Sequence, residues 1–459
     1  MTAIATRKSD SLIGSCCFNG LYIARSMLTF GLAMRITKLK LHTTVILMLL
    51  SACWMSPATA DTLDGSKARV LSDDEPLSII LMIGDGMGPE HVKLGRWVEV
   101  GPSNSLIMEQ LPFSANVTTC SADSNVTDSS AAATAIATGV KINNSFVGID
   151  PNGVVLETIV DVAQTFGKST GVVTRTTIQH GTPAAFMTHV ANRNSYQEIT
   201  RQIIEEAGVE VLLGGGSRYF NTSEIDAMVD NGYSFVQDRD ELLAVTSGKV
   251  LGLFSYDHMP FEQGRDFDES PSLSEMTAKS IEILSQDPEG FFLIVEGGKI
   301  DHAAHDHDRV DTALELIAFD KAVGTALEYI SDHPNTVLIV TADHETAGLT
   351  ILGHTLSDTL PSDTNEESAN RQLRIERANN ITVEWGTTYH TATDVPLYWK
   401  GDVFNESVET VDNTDIFTAM NTYFMSSPLP TPPPSLFIPV AVTFLAVIAV
   451  AIIYVRRTE

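Results

Sequence analysis

FFLIVEGGKIDHAAHDHD, residues 291–308, runs from an unbroken apolar stretch into a cluster of metal-capable side chains: Asp301, His302, His305, Asp306, His307 and Asp308. Residues 291–295 lack the polar alternation of a half-exposed strand. They read as a strand buried on both faces, followed by a helical candidate over 309–331. The same arrangement recurs along the chain. Apolar runs at 79–83, 171–174, 209–213 and 336–341 alternate with helical candidates at 154–166, 195–207 and 272–286. No internal repeat is seen. The pattern predicts an α/β fold with a central, mostly parallel sheet and helices on both faces. Ligands bind such sheets beyond the carboxyl ends of the strands, so the residues at each strand exit carry the functional reading.

After residue 83 comes Gly84-Asp85-Gly86-Met87-Gly88. The spacing is not that of a dinucleotide fingerprint, and no helix-opening pattern is evident after it. The glycines either turn the backbone sharply to present Asp85 or mark a plain turn with a solvated carboxylate. After 174, His180 and Thr182 alternate on what reads as an extended segment and could face one way. The alternative is an ordinary loop histidine. After 295 come Glu296, Asp301 and His305. The last two are four apart, so one helical face can offer both to a single metal; Asp306, His307 and Asp308 read as solvent-facing. After 341, Asp343 and His344 either share an ion or serve as a helix cap beside an incidental histidine. In VTDSSAAATAIATGVK (126–141), Ser129 opens a small-residue helix, where backbone N–H groups favour anions. A simple serine cap fits that position equally well. Carboxylates with imidazoles suit zinc, and carboxylates with a hydroxyl suit magnesium.

The chain has 459 residues and a net charge of −29. Such a surface repels nucleic acid and anionic lipid, so neither is expected as a partner. An anionic substrate would require cations supplied by the site itself. Residues 1–60 read as a leader. Met34 reads as the true start, and the basic segment 34–40 precedes an apolar core at 45–50 and an Ala58-Thr59-Ala60 cleavage site. A second reading takes Leu50-Ser51-Ala52-Cys53 as a lipid-attachment site. Loss of the leader leaves Cys120 and no disulfide framework. At the other end, 427–435 is a proline-rich linker, 436–455 an apolar segment of bilayer length and 456–459 a basic tail. The expectation is a folded region at 61–426 outside the cytoplasm, in a periplasmic setting, anchored to the inner membrane by the C-terminal segment. A sorting tail that is later removed would leave the same pattern.

The motifs MIGDGMG, VTDSSAAATAIATGVK, QHGTPAAFMTHVANR, FFLIVEGGKIDHAAH, VTADHETAGL and TTYHTATDVPLY occur in the order found in alkaline phosphatases, which the chain resembles over 77–395. The resemblance implies that Ser129 is the nucleophile, with Asp128 beside it; Ser130 is the alternative in the Asp-Ser-Ser run. It implies that Asp301, His305 and His390 hold one zinc and that Asp343 and His344 hold a second. Asp85 would bridge the second zinc to a magnesium, with Thr182 and Glu296 as further magnesium ligands. Arg193 matches the phosphate-gripping arginine. Some bacterial members carry Asp where His180 stands and Lys where His302 stands; this chain has His at both, as mammalian members do. His180 is then a neighbour of the magnesium site, His302 reaches phosphate through water, and cobalt competes as a metal. The implied substrates are small phosphate monoesters, and the implied assembly is a homodimer. The interval between His344 and His390 is too short for the surface domain of the mammalian forms. A phosphodiesterase and a sulfatase are rivals on the same fold, but the Cys-x-Pro-Ser-Arg stretch a sulfatase needs is missing. A non-catalytic metal- or phosphate-binding protein is a rival of another class.

Overall fold

In a computed structural model, residues 76–357, 359–361 and 367–426 are described. The leader, the proline-rich linker and the apolar C-terminal segment lie outside them. Among the described residues no helix is long and apolar enough to cross a membrane.

Ten strands form the main sheet: β1 (Ser78–Ile83), β2 (Phe113–Thr118), β3 (Ser169–Thr177), β4 (Val211–Gly215), β5 (Tyr233–Val236), β6 (Lys249–Leu253), β7 (Phe291–Glu296), β8 (Thr336–Thr341), β13 (Val395–Lys400) and β14 (Thr410–Asp412), in the order β14-β2-β13-β8-β1-β7-β3-β4-β6-β5. Two small ribbons pair β10 (Leu349–His354) with β11 (Ile381–Trp385), and β9 (Glu345–Thr346) with β12 (His390–Thr391). From β8 to β5 every pairing is parallel. All residues of β1, β7 and β8 are buried, as continuous apolar runs in a doubly covered sheet require. Helices Pro89–Glu99, Leu273–Leu284 and Arg309–Asp332 pack together as one group. Ser129–Thr138, Ile159–Thr165 and Asn413–Met425 form a second.

The sequence reading places five of the seven parallel strands from β8 to β5, misses β6 and β5, and differs at other edges. The antiparallel strand β13 separates β8 from β2; its pairing is set across the chain and leaves no local signal. The helix expected over 154–166 begins at Ile159, because Thr158 and Asp161 close a capping box there. Residues 149 and 155 instead form an isolated bridge. A helix does follow the first glycine-rich exit: Pro89 opens Pro89–Glu99 at its first position, a start signal that the glycines obscured.

Candidate active site

Four adjacent strands, β8-β1-β7-β3, end side by side and deliver most of the singled-out side chains to one place. Beyond β1, Gly86 adopts φ +75, and a Cβ there would lie 2.7 Å from Thr346 Oγ1 and 2.9 Å from Asp301 Cα. The glycine thus permits a sharp turn against the next strand exit, which presents Asp85. Beyond β3, residues 181–184 form a single helical turn with His180 at its cap. This corrects the extended segment read from alternation, yet Thr182 is fully buried and His180 lies beside the same cluster. Beyond β7, helix Lys299–His305 puts Asp301 and His305 on one face, with His305 Nε2 3.3 Å from Asp301 Oδ1. Beyond β8, no helix begins. The Asp343 carboxylate instead accepts from the N–H groups of Gly86 (3.1 Å) and His344 (2.9 Å), which removes the capping alternative.

Ser129 opens its helix but does not cap it. Asp128 is the cap, accepting from Ala131 N at 3.0 Å. Ser130 turns back and donates to the Asp128 carboxylate, whereas Ser129 Oγ lies 3.2 Å from His344 Nε2. Arg193 donates from Nη1 to Asp128 Oδ2 at 3.1 Å, and its Nη2 is 3.3 Å from His180 Nε2. Two neighbours gave no signal in the sequence. Asn144 Oδ1 accepts from Asp128 N, and Ser145 N donates to Asp128 Oδ2 at 2.9 Å while its carbonyl accepts from Arg193 N at 2.8 Å. A third, His258, follows β6, a strand exit that could have been inspected. Its Nδ1 accepts from Thr177 N, and its ring meets His302 edge-on at 4.6 Å. His302 in turn meets His180 edge-on at 5.4 Å. Burial pushes His302 down to about 3, so this rim is one of neutral imidazoles.

Asp85, Glu296 and Asp343 are 0% exposed and Asp301 is 4% exposed. Burial, followed by repulsion from Asp343, Asp301 and Glu296, holds the Asp85 carboxyl well above its ordinary value; burial and the neighbouring carboxylates do the same to Asp343. Burial pushes Glu296 up to about 7 even though Thr174 and Thr176 donate to it. Burial alone would raise Asp301 too, but the His305 hydrogen bond and the facing imidazoles hold it well below the carboxylate range. Asp301 lifts His305 to about 9. Four buried carboxylates around one arginine are unfavourable without further cations.

The donor atoms fit metal ions. His305 Nδ1 lies 2.7 Å from Thr388 O and His390 Nδ1 lies 2.9 Å from Thr127 O. A carbonyl can only accept, so both Nδ1 atoms carry protons, and in the neutral rings that bind a metal both Nε2 atoms offer lone pairs. Those lone pairs face each other across 3.1 Å, with Asp301 Oδ1 nearby. Two acceptors so placed are compatible only with a cation or an added proton between them. Thr346 Oγ1 donates to Asp301 at 2.5 Å and is 3.2 Å from His344 Nδ1. It therefore fixes His344 with a free Nε2, which lies 3.3 Å from Asp343 Oδ2 and 3.4 Å from Asp85 Oδ1. Both Asp85 oxygens, Asp343 Oδ2, Glu296 Oε1, Thr182 Oγ1 and His180 Nδ1 are buried without a hydrogen-bond partner. Among the described residues three groups of possible ligands emerge: Asp301 with His305 and His390; Asp85 with Asp301 and His344; and Asp85 with His180 and Glu296. His180 joins the third as a ligand candidate, where the sequence reading gave it a neighbouring role.

Comparison with known proteins identifies the family. The family model described as alkaline phosphatase matches residues 77–373. Alkaline phosphatase 4 of Bacillus subtilis is 35% identical over 331 residues, covering 68% of this chain and 71% of the relative. Streptomycin-6-phosphate phosphatase of Streptomyces griseus is 31% identical over 408 residues, covering 74% and 88%. Among solved structures, a cold-active alkaline phosphatase from a psychrophilic Shewanella superposes with a TM-score of 0.67 at 30% identity, covering 77% of this chain and all of that one. A variant of the TAB5 alkaline phosphatase, with magnesium bound, gives a TM-score of 0.64 at 28% identity, covering 77% and 99%.

Proposed function

Because the chain belongs to the alkaline phosphatase family, and so is a phosphatase of a metal-dependent family, we propose that it hydrolyses small phosphate monoesters through a phosphoserine on Ser129. The observation that carries this reading is the meeting of Ser129, Arg193, four buried carboxylates and three imidazoles with inward-facing Nε2 atoms. Asp301, His305 and His390 would hold one zinc, and Asp343, His344 and Asp85 a second. Asp85, Thr182 and Glu296, with His180 beside them, would hold magnesium, and cobalt is the alternative metal. When bound, these ions neutralise phosphate charge and lower the pKa of hydroxyl and water at the site.

The chain's own residues do the rest. Ser129 stands in the first turn of its helix, where the backbone N–H groups favour the incoming dianion. Asp128 caps that turn and also anchors Arg193, so nucleophile and guanidinium keep a fixed separation. Arg193 would grip two non-bridging oxygens with its planar fork. Ser129 Oγ attacks phosphorus, the ester oxygen leaves as the alcohol after taking a proton, and water then cleaves the phosphoserine to give inorganic phosphate and free Ser129. A phosphodiester offers one fewer anionic oxygen to this charge-dense site, which disfavours the diesterase alternative. The leader and C-terminal patterns support an extracytoplasmic, membrane-anchored enzyme; the homodimer rests on the family resemblance.

The test is turnover of a chromogenic monoester at alkaline pH with zinc plus magnesium, with cobalt, and after chelation, beside the matching diester. Monoester turnover that the chelator abolishes and metal restores supports the reading. Preferential diester turnover, or none with metal fully bound, overturns it.

A further inference from the structure

His307 is one of six metal-capable residues in its stretch, and the sequence reading left it facing solvent. The structure gives it a place of its own. Helix Lys299–His305 ends in a paired cap, with His307 N donating to Ala304 O and Asp308 N to Ala303 O. The residue at the turn of such a cap is left-handed and is usually glycine. His307 occupies it at φ 55. A histidine there gives up backbone comfort, so its side chain is the thing to account for.

The imidazole lies parallel to Trp385, with the ring planes 3° apart and the centroids 5.2 Å apart. Its Nε2 is 2.8 Å from Thr387 O, so that nitrogen donates. Thr388 O accepts from His305 Nδ1 at 2.7 Å, and Tyr389 O accepts from Ala347 N at 2.8 Å. Three successive carbonyls of the 386–389 turn are therefore each held by a different donor. The next residue is His390, whose Nε2 must meet those of His305 and the Asp301 carboxylate.

We propose that His307 is a positioning residue for the Asp301–His305–His390 metal group. It clamps the 386–389 turn so that His390, which no strand of the main sheet carries, is held in place before the ion arrives. The clamp rests on the assignment of His390 as a ligand. His307 itself touches neither ion nor substrate. Asp306 and Asp308, on either side, are exposed, and Asp308 caps the next helix by accepting from Val310 N and Asp311 N.

The test compares zinc-loaded wild type with His307→Gly and His307→Asn. Both replacements suit a left-handed backbone, and neither reaches Thr387 O. Two quantities are measured: the rate at which zinc passes to excess chromophoric chelator, and Tm. Removal of a group that orients a metal ligand weakens metal holding by about 10–100-fold. Release on the order of tenfold faster, with Tm unchanged or raised, is expected and would separate clamping from general stability. Release at the wild-type rate overturns the clamp, and so does a lower Tm without faster release. His390→Ala is the control for the underlying reading. If it holds zinc as firmly as wild type, or if wild type takes up no zinc, the ligand assignment fails and the clamp fails with it. Fast release from His390→Ala beside wild-type release from His307→Gly overturns the clamp alone.

Discussion

Gly181→Ala is the sharpest perturbation of the proposed phosphate grip, because the structure separates its effect on function from its effect on stability. Gly181 opens a one-turn helix and has no left-handed backbone. Alanine is therefore conformationally acceptable there and favoured by helix propensity. A Cβ at this position would stand 2.7 Å from Arg193 Nη2, 2.8 Å from Cζ and 3.1 Å from Nε. Ordinary carbon contacts begin near about 3.5 Å, so the guanidinium must retreat by about 0.8 Å. It is the end of a flexible side chain and can do so without moving backbone. Retreat displaces the fork from the position in which it donates to Asp128 at 3.1 Å and lies beside His180. Losing one charge-assisted hydrogen bond to phosphate costs about 1.5–3 kcal/mol, or roughly 10–150-fold in binding. The expected outcome is a rise of roughly 10–100-fold in the inhibition constant of inorganic phosphate and a similar loss in kcat/KM, while Tm stays within about 2 °C. Inhibition by phosphate within twofold of wild type would refute the argument, since Arg193 would then not be the group that grips phosphate from this position.

Ser129→Ala should lower kcat by at least about 10³-fold while phosphate still protects the protein in thermal shift; substantial remaining turnover would displace Ser129 as nucleophile. Arg377, only 2% exposed, donates to the carbonyls of Trp97, Val98, Ser357 and Thr359. Arg377→Met should destabilise by about 3–5 kcal/mol in urea unfolding, with kcat of the surviving folded enzyme little changed. Lys168 donates to Leu77 O and Glu289 O, and burial pushes it down to about 8. In the window between about 8 and the ordinary lysine value the unfolded chain binds the extra proton, so stability from this group rises as pH climbs through that window and is absent below it. Wild type should therefore gain on Lys168→Met between pH 8 and 10 in denaturant titrations; parallel curves would count against a desolvated lysine.

The centre of the parallel sheet was legible because β1, β7, β3, β4 and β8 are buried on both faces, so the apolar run is visible within a few residues; the half-exposed edge strand β5 and its neighbour β6 carry no such run and were missed. Asp85, Glu296, Asp343 and His344 were legible for the same reason, each standing within two or three residues of such a run, and Asp301 because it pairs at i,i+4 with His305 on the helix after one. What stayed hidden depends on contacts between distant segments. Asn144 and Ser145 act on Asp128 across sixteen and seventeen positions, and the 143–145 turn has no chemistry of its own to advertise. His307 was visible as a histidine but not as a clamp, because its partner is a backbone carbonyl eighty positions away. The helix Pro89–Glu99 was hidden by a glycine-rich prelude whose real role is to let Gly86 pass close to Asp301.

The positions of backbone strain follow from the same division. Among the described residues, the non-glycine residues with positive φ are Ser145, His307 and Ala347. Each costs on the order of 1–3 kcal/mol and persists only where its surroundings over-determine it. Ser145 joins Asp128 to the backbone of Arg193. Ala347 and His307 fasten the turn that leads to His390. The parallel sheet can place the side chains that leave its own strand ends, and no strained residue of this kind lies within those exits. Ser129, Arg193 and His390 come from outside the exits of the main sheet, on a helix start, a loop and a two-residue ribbon strand. A rigid sheet cannot hold them to the tolerance that phosphoryl transfer demands. The strained residues supply that constraint, Ser145 on the Arg193 half of the site, Ala347 and His307 on the His390 half. The two halves should therefore loosen independently: damage to the 143–145 turn should appear first in phosphate affinity, and damage to the 386–389 turn first in metal retention.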